Sequence, residues 1–328
     1  MKLVFCGTPQ FAVPTLEALL GAGHEVRLVV SQPDRRVGRD QQLTAPPIKQ
    51  AALAAGLPVV QPDKIRLNAE FRAQLEAIAP DAIVVVAYGR IIPPWMLTLP
   101  RLGCINLHAS LLPKYRGAAP IQWSLARGET ITGNTTMLLE EGLDTGPILL
   151  QQVYAIAPEM TAIDLFEELA LAGAPLVTQT LAGLDDGSIP PTPQNHAGAT
   201  LAPILTREDG RMDFTAHTAT ELKNRWRGFQ PWPGAFTTLD GKKLIAHRLE
   251  VRDQGTGIRE QGTEWLNLPG KAEPGRIHVE GHRLLVACAQ SSWLEFLEVQ
   301  LEGKKRMTAG DFLRGIALAE GARLGAAE

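Results

Sequence analysis

GCINLHASLLPKYRGAAPIQWSL, residues 103–125, carries an apolar strand into two polar side chains and then into a proline-bounded loop. Gly103 to His108 alternates as a short strand does, and successive strand side chains point to opposite faces, so Asn106 and His108 are expected on one side. At a rise of about 3.3 Å per residue they stand roughly 7 Å apart, so one small reacting group can touch both. An Asn amide donates to a developing oxyanion, and an imidazole takes up and releases protons near pH 7. Acyl transfer needs that pair. The same residues also suit a strand-end cap and a core histidine, and the pattern alone leaves both readings open. A second stretch, EEGLDTGPIL at 140–149, sets one carboxylate, Asp144, between Gly142 and Gly146 on a tight turn between two apolar runs. A base wants a third group to orient it, and a carboxylate hydrogen-bonded to an imidazole is the common solution.

Working outward, strands are expected at 2–6, 25–30, 58–60, 81–87 and 103–108. Helices run between them, to about Leu20, from about Pro47 to Gly56, and between the third and fourth strands. Strands that are apolar throughout and alternate with helices imply a parallel sheet covered on both faces, an α/β fold. Ligands bind such sheets at the carboxyl ends of the strands, where Gly7, Tyr88-Gly89, Asn106 and His108 fall. The first turn holds only Gly7 where a dinucleotide fingerprint needs G-x-G-x-x-G, and no G-x-x-x-x-G-K-[ST] occurs, which argues against a nucleotide cofactor. The loop SQPDRRVGRDQQLTAPP, 31–47, is longer than a simple connection needs and presents Arg35, Arg36 and Arg39 around Gly38.

Further on, 161–183 reads as a packing helix opened by a Thr cap. SIPPTPQNHAGATLAPIL reads as a linker, with His196 as a surface histidine. A helix over 217–228 is followed by short alternating strands near 235–240, 243–252, 275–280, 282–288 and 293–301, the pattern of a small barrel. Lys242, Lys243, Arg248, Lys304, Lys305 and Arg306 are candidates for a basic groove there, while Trp226, Phe229, Trp232 and Phe236 read as packing residues at a domain interface.

A chain of 328 residues, 45% hydrophobic and 20% charged, is expected to form two domains with separate cores. Its net charge of −3 does not favour non-specific nucleic-acid binding, so any RNA contact must rest on local patches. The first 206 residues carry −4 and the remainder +1. Cys6, Cys104 and Cys288 are widely spaced with no CxxC pair, which suggests neither a disulfide framework nor a zinc site and fits a reducing cytosol. MKLVFCG reads as a first strand and not as a signal peptide, and no run of about 18 apolar residues suggests a membrane span.

INLHASLLPKYRGAAP and EEGLDTGPIL, taken with FCGTPQFA at 5–12, VVVAYGRIIP at 84–93 and FQPWPGAF at 229–236, resemble the methionyl-tRNA formyltransferase family in motif and in order. The resemblance implies a Rossmann-like, mostly parallel formyltransferase domain over 1–189, a linker over 190–206 and an OB-like β-barrel domain that binds tRNA over 207–328. It implies Asn106, His108 and Asp144 as the catalytic trio, with Ser110, Leu111, Leu112 and Pro113 as the folate-binding loop. Arg39 matches the family's basic residue on the tRNA acceptor arm, although Gln41 and Gln42 stand where family members usually carry Lys. The implied reaction moves a formyl group from 10-formyltetrahydrofolate to initiator Met-tRNA, without a metal, in a cytoplasmic enzyme that is expected to be a monomer with no membrane partner. The trio reports chemistry and not the acceptor, so formylation of glycinamide ribonucleotide or a sugar nucleotide, hydrolysis of formyl-folate, and a folate- or RNA-binding module without catalysis remain alternatives. The long arginine loop and the carboxyl-terminal barrel favour tRNA.

Overall fold

The computed structural model describes residues 1–38, 41–252, 268, 270 and 272–325. They gather into two compact units: Met1–Ile121, Thr130–Pro158 and Asp164–Ile204 form one, while Gln122–Glu129, Glu159–Ile163 and the chain from Leu205 form the other.

Nine strands belong to the first unit: β1 (Lys2–Gly7), β2 (Glu25–Val30), β3 (Arg35–Val37), β4 (Gln42–Thr44), β5 (Val59–Val60), β6 (Ala82–Val86), β7 (Cys104–His108), β8 (Ile131–Leu138) and β9 (Ile148–Ala155). The helices that begin in it are α1 (Val13–Gly21), α2 (Pro47–Ala54), α3 (Ala69–Ile78), α4 (Pro94–Leu97) and α5 (Pro120–Ala126), and α6 (Ala162–Asp185) belongs to it from Asp164 onward. A seven-stranded sheet runs in the order β5-β2-β1-β6-β7-β8-β9. It is parallel from β5 to β7, and β8 and β9 then add antiparallel. The parallel strands pack on both faces, so every residue of β6 is buried, and Val4, Cys6, Leu28, Ile83, Val85 and Cys104 share a core with Phe71 and Leu75 of α3. The Asn68 side chain caps α3 by accepting from the Phe71 N–H. Crossing strands at this sheet bring the carboxyl end of β7 beside the middle of β8, His108 opposite Thr135 and Asn106 opposite Met137.

Two features depart from expectation. The 31–47 loop folds its own hairpin, with Arg35 opposite Thr44 and Val37 opposite Gln42. The stretch read as a linker, 190–206, is tied along the first unit: Thr192 exchanges both backbone hydrogen bonds with Ile148, Thr200 O accepts from Arg116 N, and Ala202 N donates to Arg116 O. Backbone hydrogen bonding has no side-chain period, so a proline-rich strap and a free linker look alike in sequence.

In the second unit α7 (Ala219–Gly228) is followed by β10 (Ala235–Leu239), β11 (Lys242–Arg252), β12 (Ile277–Glu280), β13 (Arg283–Ala287), β14 (Trp293–Leu301), β15 (Met307–Thr308) and α8 (Ala309–Arg314). All pairs are antiparallel, in the order β10-β11-β14-β13-β12 with β15 on β14. Asp240 and Gly241 both take positive φ, 47° and 72°, which is the two-residue turn that suits a twisted hairpin. Thr218 and Glu221 form a reciprocal capping box on α7. Leu244, Ala246, Leu249, Val286 and Phe296 fill the core. Phe229 is buried edge-on against Trp123 and Trp226 packs on that core, but Trp232 is 55% exposed and packs nothing closed.

Candidate active site

The first unit sets Asn106 and His108 on alternate positions of β7, hence on one face, at the end of the strand. Asn106 is half-buried and its amide makes no hydrogen bond among the described residues, leaving its donors to a ligand. His108 is only 6% exposed, and its Nε2 lies 2.9 Å from the Tyr115 carbonyl. A carbonyl oxygen only accepts, so the proton sits on Nε2 and the lone pair on Nδ1. That nitrogen faces Asp144 Oδ2 at 3.7 Å. This exceeds a hydrogen bond, so Tyr115 orients the imidazole while Asp144 supplies a negative field where a second proton would arrive. The expectation that Asp144 does both is corrected in that respect.

Asp144 is held from two directions. Its carboxylate accepts from the Gly117 N–H at 2.7 Å, and its carbonyl accepts from Gln194 Nε2 at 2.9 Å. Asp144 itself takes φ +51°, and a Cβ on Gly146 would lie 1.9 Å from Leu138 O, so the turn requires glycine there. Gly117, at φ +121°, has Ala202 O at 2.6 Å from its own would-be Cβ.

The loop Ser110 to Pro113 follows His108 directly. Ser110 is fully buried and its hydroxyl donates to Lys114 O at 2.7 Å, so this side chain closes the loop from within. Thr135 on β8 donates to Ser110 O at 2.6 Å and accepts from Leu112 N at 3.1 Å and from Gln151 Nε2 at 2.9 Å. Gln151 also donates to Leu112 O. Leu112 is buried, while Leu111 and Pro113 are half-buried. At the end of β6, the Tyr88 carbonyl accepts from Thr8 Oγ1 and Gln32 Nε2 and the Gly89 carbonyl from Gln32, so both are taken by protein donors.

Cys104 shares the face of Asn106 but is no nucleophile: burial pushes its thiol up to about 12. Arg39 lies outside the described residues. Arg35 and Arg36 are exposed on the hairpin, whose base is pinned where Lys49 Nζ meets the Asp34 carboxylate at 2.9 Å and Gln61 Oε1 at 2.7 Å. In the second unit Lys243 lies over Phe236 and Arg306 pairs with Glu298, while Lys242 and Arg248 are exposed.

Residues missed by sequence reasoning are Tyr115, Thr135, Gln151, Arg116 and Gln194. Tyr115 acts through a carbonyl, which carries no residue signature. For Thr135, Arg116 and Gln194 the signal is a polar side chain that only burial reveals, while Gln151 is exposed and is found only through its hydrogen bonds.

Residues 1–181 match the Formyl transferase family and residues 204–317 match Formyl transferase, C-terminal domain. A methionyl-tRNA formyltransferase of Acidobacterium capsulatum is 65% identical over 326 residues, covering 99% of this chain and 100% of that one. The chain belongs to the methionyl-tRNA formyltransferase family. Another member of that family, from Koribacter versatilis, is 56% identical over 96% of each chain. Among solved structures, the sugar 3N-formyl transferase WlaRD, determined with dTDP and 5-N-formyl-THF, covers 93% of this chain and 99% of its own at TM-score 0.62 and 16% identity. An N-formyltransferase from Helicobacter canadensis, in complex with folinic acid and dTDP-3-aminofucose, covers 90% of this chain and 98% of its own at TM-score 0.61 and 17% identity. These two share the fold: a mostly parallel α/β formyltransferase domain and a small antiparallel β domain. No described helix is long and apolar enough to cross a membrane.

Proposed function

We infer that this family member transfers the formyl group of 10-formyltetrahydrofolate to the α-amino group of methionyl initiator tRNA, giving N-formylmethionyl-tRNA for translation initiation. The observation that carries the reading is the free Asn106 amide beside a buried, tautomer-fixed His108 facing Asp144, within a chain that matches methionyl-tRNA formyltransferases over its length. An α-amino group has a pKa near 8 and attacks only when neutral. Attack on the formyl carbon makes a C–N bond and places negative charge on the oxygen. Asn106 donates to that oxyanion, an effect worth about 10²–10³ in rate in comparable sites. His108 Nδ1 accepts the proton that the new amide nitrogen must lose, and the Asp144 carboxylate stabilises the resulting imidazolium. The C–N10 bond then breaks and His108 returns the proton to the departing folate nitrogen, so one proton and one acyl group have changed places. The steps use groups of the chain and its two substrates alone.

Ser110 to Pro113 is proposed as the folate loop, with Leu111, Leu112 and Pro113 offering an apolar wall and Ser110 acting by closing the loop. Arg39 is proposed to meet the acceptor arm, and the domain after residue 207 to hold RNA through Lys242, Arg248 and neighbouring cations. The enzyme works as a cytoplasmic monomer in this reading.

The test is formyl transfer from 10-formyltetrahydrofolate to labelled Met-tRNA, beside free methionine, glycinamide ribonucleotide, a sugar nucleotide and water as acceptors. Transfer to Met-tRNA alone, reduced about 10²–10⁴-fold in His108→Ala, is the expected result. Turnover with another acceptor would overturn the tRNA assignment, and full turnover in His108→Ala would overturn the base.

A further inference from the structure

Gln194 stands fifty residues beyond Asp144, on the proline-rich strap, and is 6% exposed. Its amide is fully used. Nε2 donates to Asp144 O at 2.9 Å and to Gly146 O at 2.7 Å, while Oε1 accepts from Arg116 Nε at 3.1 Å and Arg116 Nη2 at 2.6 Å. A primary amide has two donor hydrogens and two acceptor lone pairs, so none is left over. Flipping it would turn oxygen toward two carbonyls and nitrogen toward a guanidinium, which fixes its orientation.

Arg116 is itself 7% exposed and has no carboxylate partner among the described residues; its other contact is His196 Nδ1 at 3.1 Å. A buried charge without a counter-ion is costly. Here it faces the oxygen of an amide whose N–H groups point at the Asp144 turn, and a cation at that end strengthens the donors at the other. The same strap grips the opposite side of the imidazole, because Thr200 Oγ1 accepts from Tyr115 N at 2.9 Å and Thr200 O from Arg116 N at 2.8 Å. Both groups that face His108, the Tyr115 carbonyl and the Asp144 carboxylate, are thus set by residues 194–202.

We propose that Gln194 is a positioning residue for formyl transfer: its amide joins Arg116 to the Asp144 turn and fixes the carboxylate against His108 Nδ1. The proposal rests on the reading of His108 as the base. The groups around that imidazole are Asp144 beside it and, behind Gln194, Arg116 and His196. A carboxylate at this distance stabilises positive charge arriving on the imidazole, so releasing the turn withdraws that support from proton uptake.

The experiment measures kcat, both KM values and the melting temperature of the full-length enzyme and of Gln194→Ala and Gln194→Glu. In Gln194→Ala formyl transfer is expected to slow, because the Asp144 carboxylate is no longer held against the imidazole. The expected loss in kcat is on the order of 10²-fold, the scale of a small misplacement of a reacting group, with both KM values within about twofold. Gln194→Glu keeps the size and the acceptor for Arg116 but loses both donors to the turn, so it decides the matter if the alanine variant does not fold; it too should lose kcat with little change in KM. A lower melting temperature with unchanged kcat would make Gln194 a staple only and overturn the proposal. So would unchanged kcat in Gln194→Glu. Failure of the base assignment is read separately, from full turnover in His108→Ala.

Discussion

Thr135→Val replaces one hydroxyl by a methyl of nearly the same volume at a position with no exposure. Three hydrogen bonds meet at that hydroxyl: it donates to Ser110 O and accepts from Leu112 N and Gln151 Nε2. Gln151 lies at the surface and its amide can turn to water, but Ser110 O and Leu112 N are main-chain groups of a closed loop. Leaving a buried donor or acceptor unsatisfied costs about 1–3 kcal/mol each, so the two together give about 2–6 kcal/mol. For a unit of this size that lowers the melting temperature by roughly 4–24 °C, at about 2–4 °C per kcal/mol. Thr135→Ser keeps the hydroxyl and loses one methyl, worth about 1 kcal/mol, and serves as the reference. Differential scanning calorimetry of the two variants beside the unaltered enzyme reads the difference, and KM for the folate substrate should rise in Thr135→Val if the released loop is the folate loop proposed above. A Thr135→Val protein that melts within about 2 °C of the Thr135→Ser protein would show that the hydroxyl does not hold the loop, since two orphaned groups cannot cost so little.

Burial pushes the thiols of Cys104 and Cys288 up to about 12 and that of Cys6 well above its ordinary value. At pH 8 the folded protein should therefore give no fast reaction with a disulfide reagent and all three thiols should react in guanidinium; a rapid native equivalent would contradict the burial. Hydrogen bonds from Lys49, and after it from Gln61, hold the Asp34 carboxyl below its ordinary 3.8. A depressed folded value means that the stabilisation is present above the unfolded pKa and is lost as pH falls through the folded one. Hydrogen exchange at the base of the β3–β4 hairpin should be steady from pH 8 down to about 4, then quicken beyond the intrinsic rate, with Asp34→Asn already open at neutral pH; equal protection in the two proteins would remove the pair from that role.

How much was legible follows the side-chain period. The parallel strands were found within a residue or two because burial on both faces makes them apolar throughout, and β10 to β14 because half-burial makes them alternate. Strands β8 and β9 escaped because β8 carries buried Thr132, Asn134, Thr135 and Thr136, and the last three serve a neighbouring loop and α6 with hydroxyls and an amide in place of apolar contacts. The trio residues were legible as residue types on one strand face and one turn. The strap was not, because Gln194 reads as a linker polar residue until its partners across the fold are known. Ser110 was legible as a loop residue, but its hydroxyl had a ligand's role in the sequence and an internal one in the structure.

The strap also sets an order of events during synthesis. Domains fold as they leave the ribosome, amino end first. Strands β1 to β7, with Asn106 and His108, are released early, and the Asp144 turn follows. The partners that hold Tyr115, Arg116 and the Asp144 turn, namely the Gln194 amide and the Thr200 hydroxyl and carbonyl, are not available until residues 194–202 have emerged. A nascent chain stopped at residue 189 would therefore hold Asn106, His108 and Asp144 and yet lack the clasp on Tyr115 and the Asp144 turn, so on the function proposed above the enzyme stays idle until synthesis has passed into its second half.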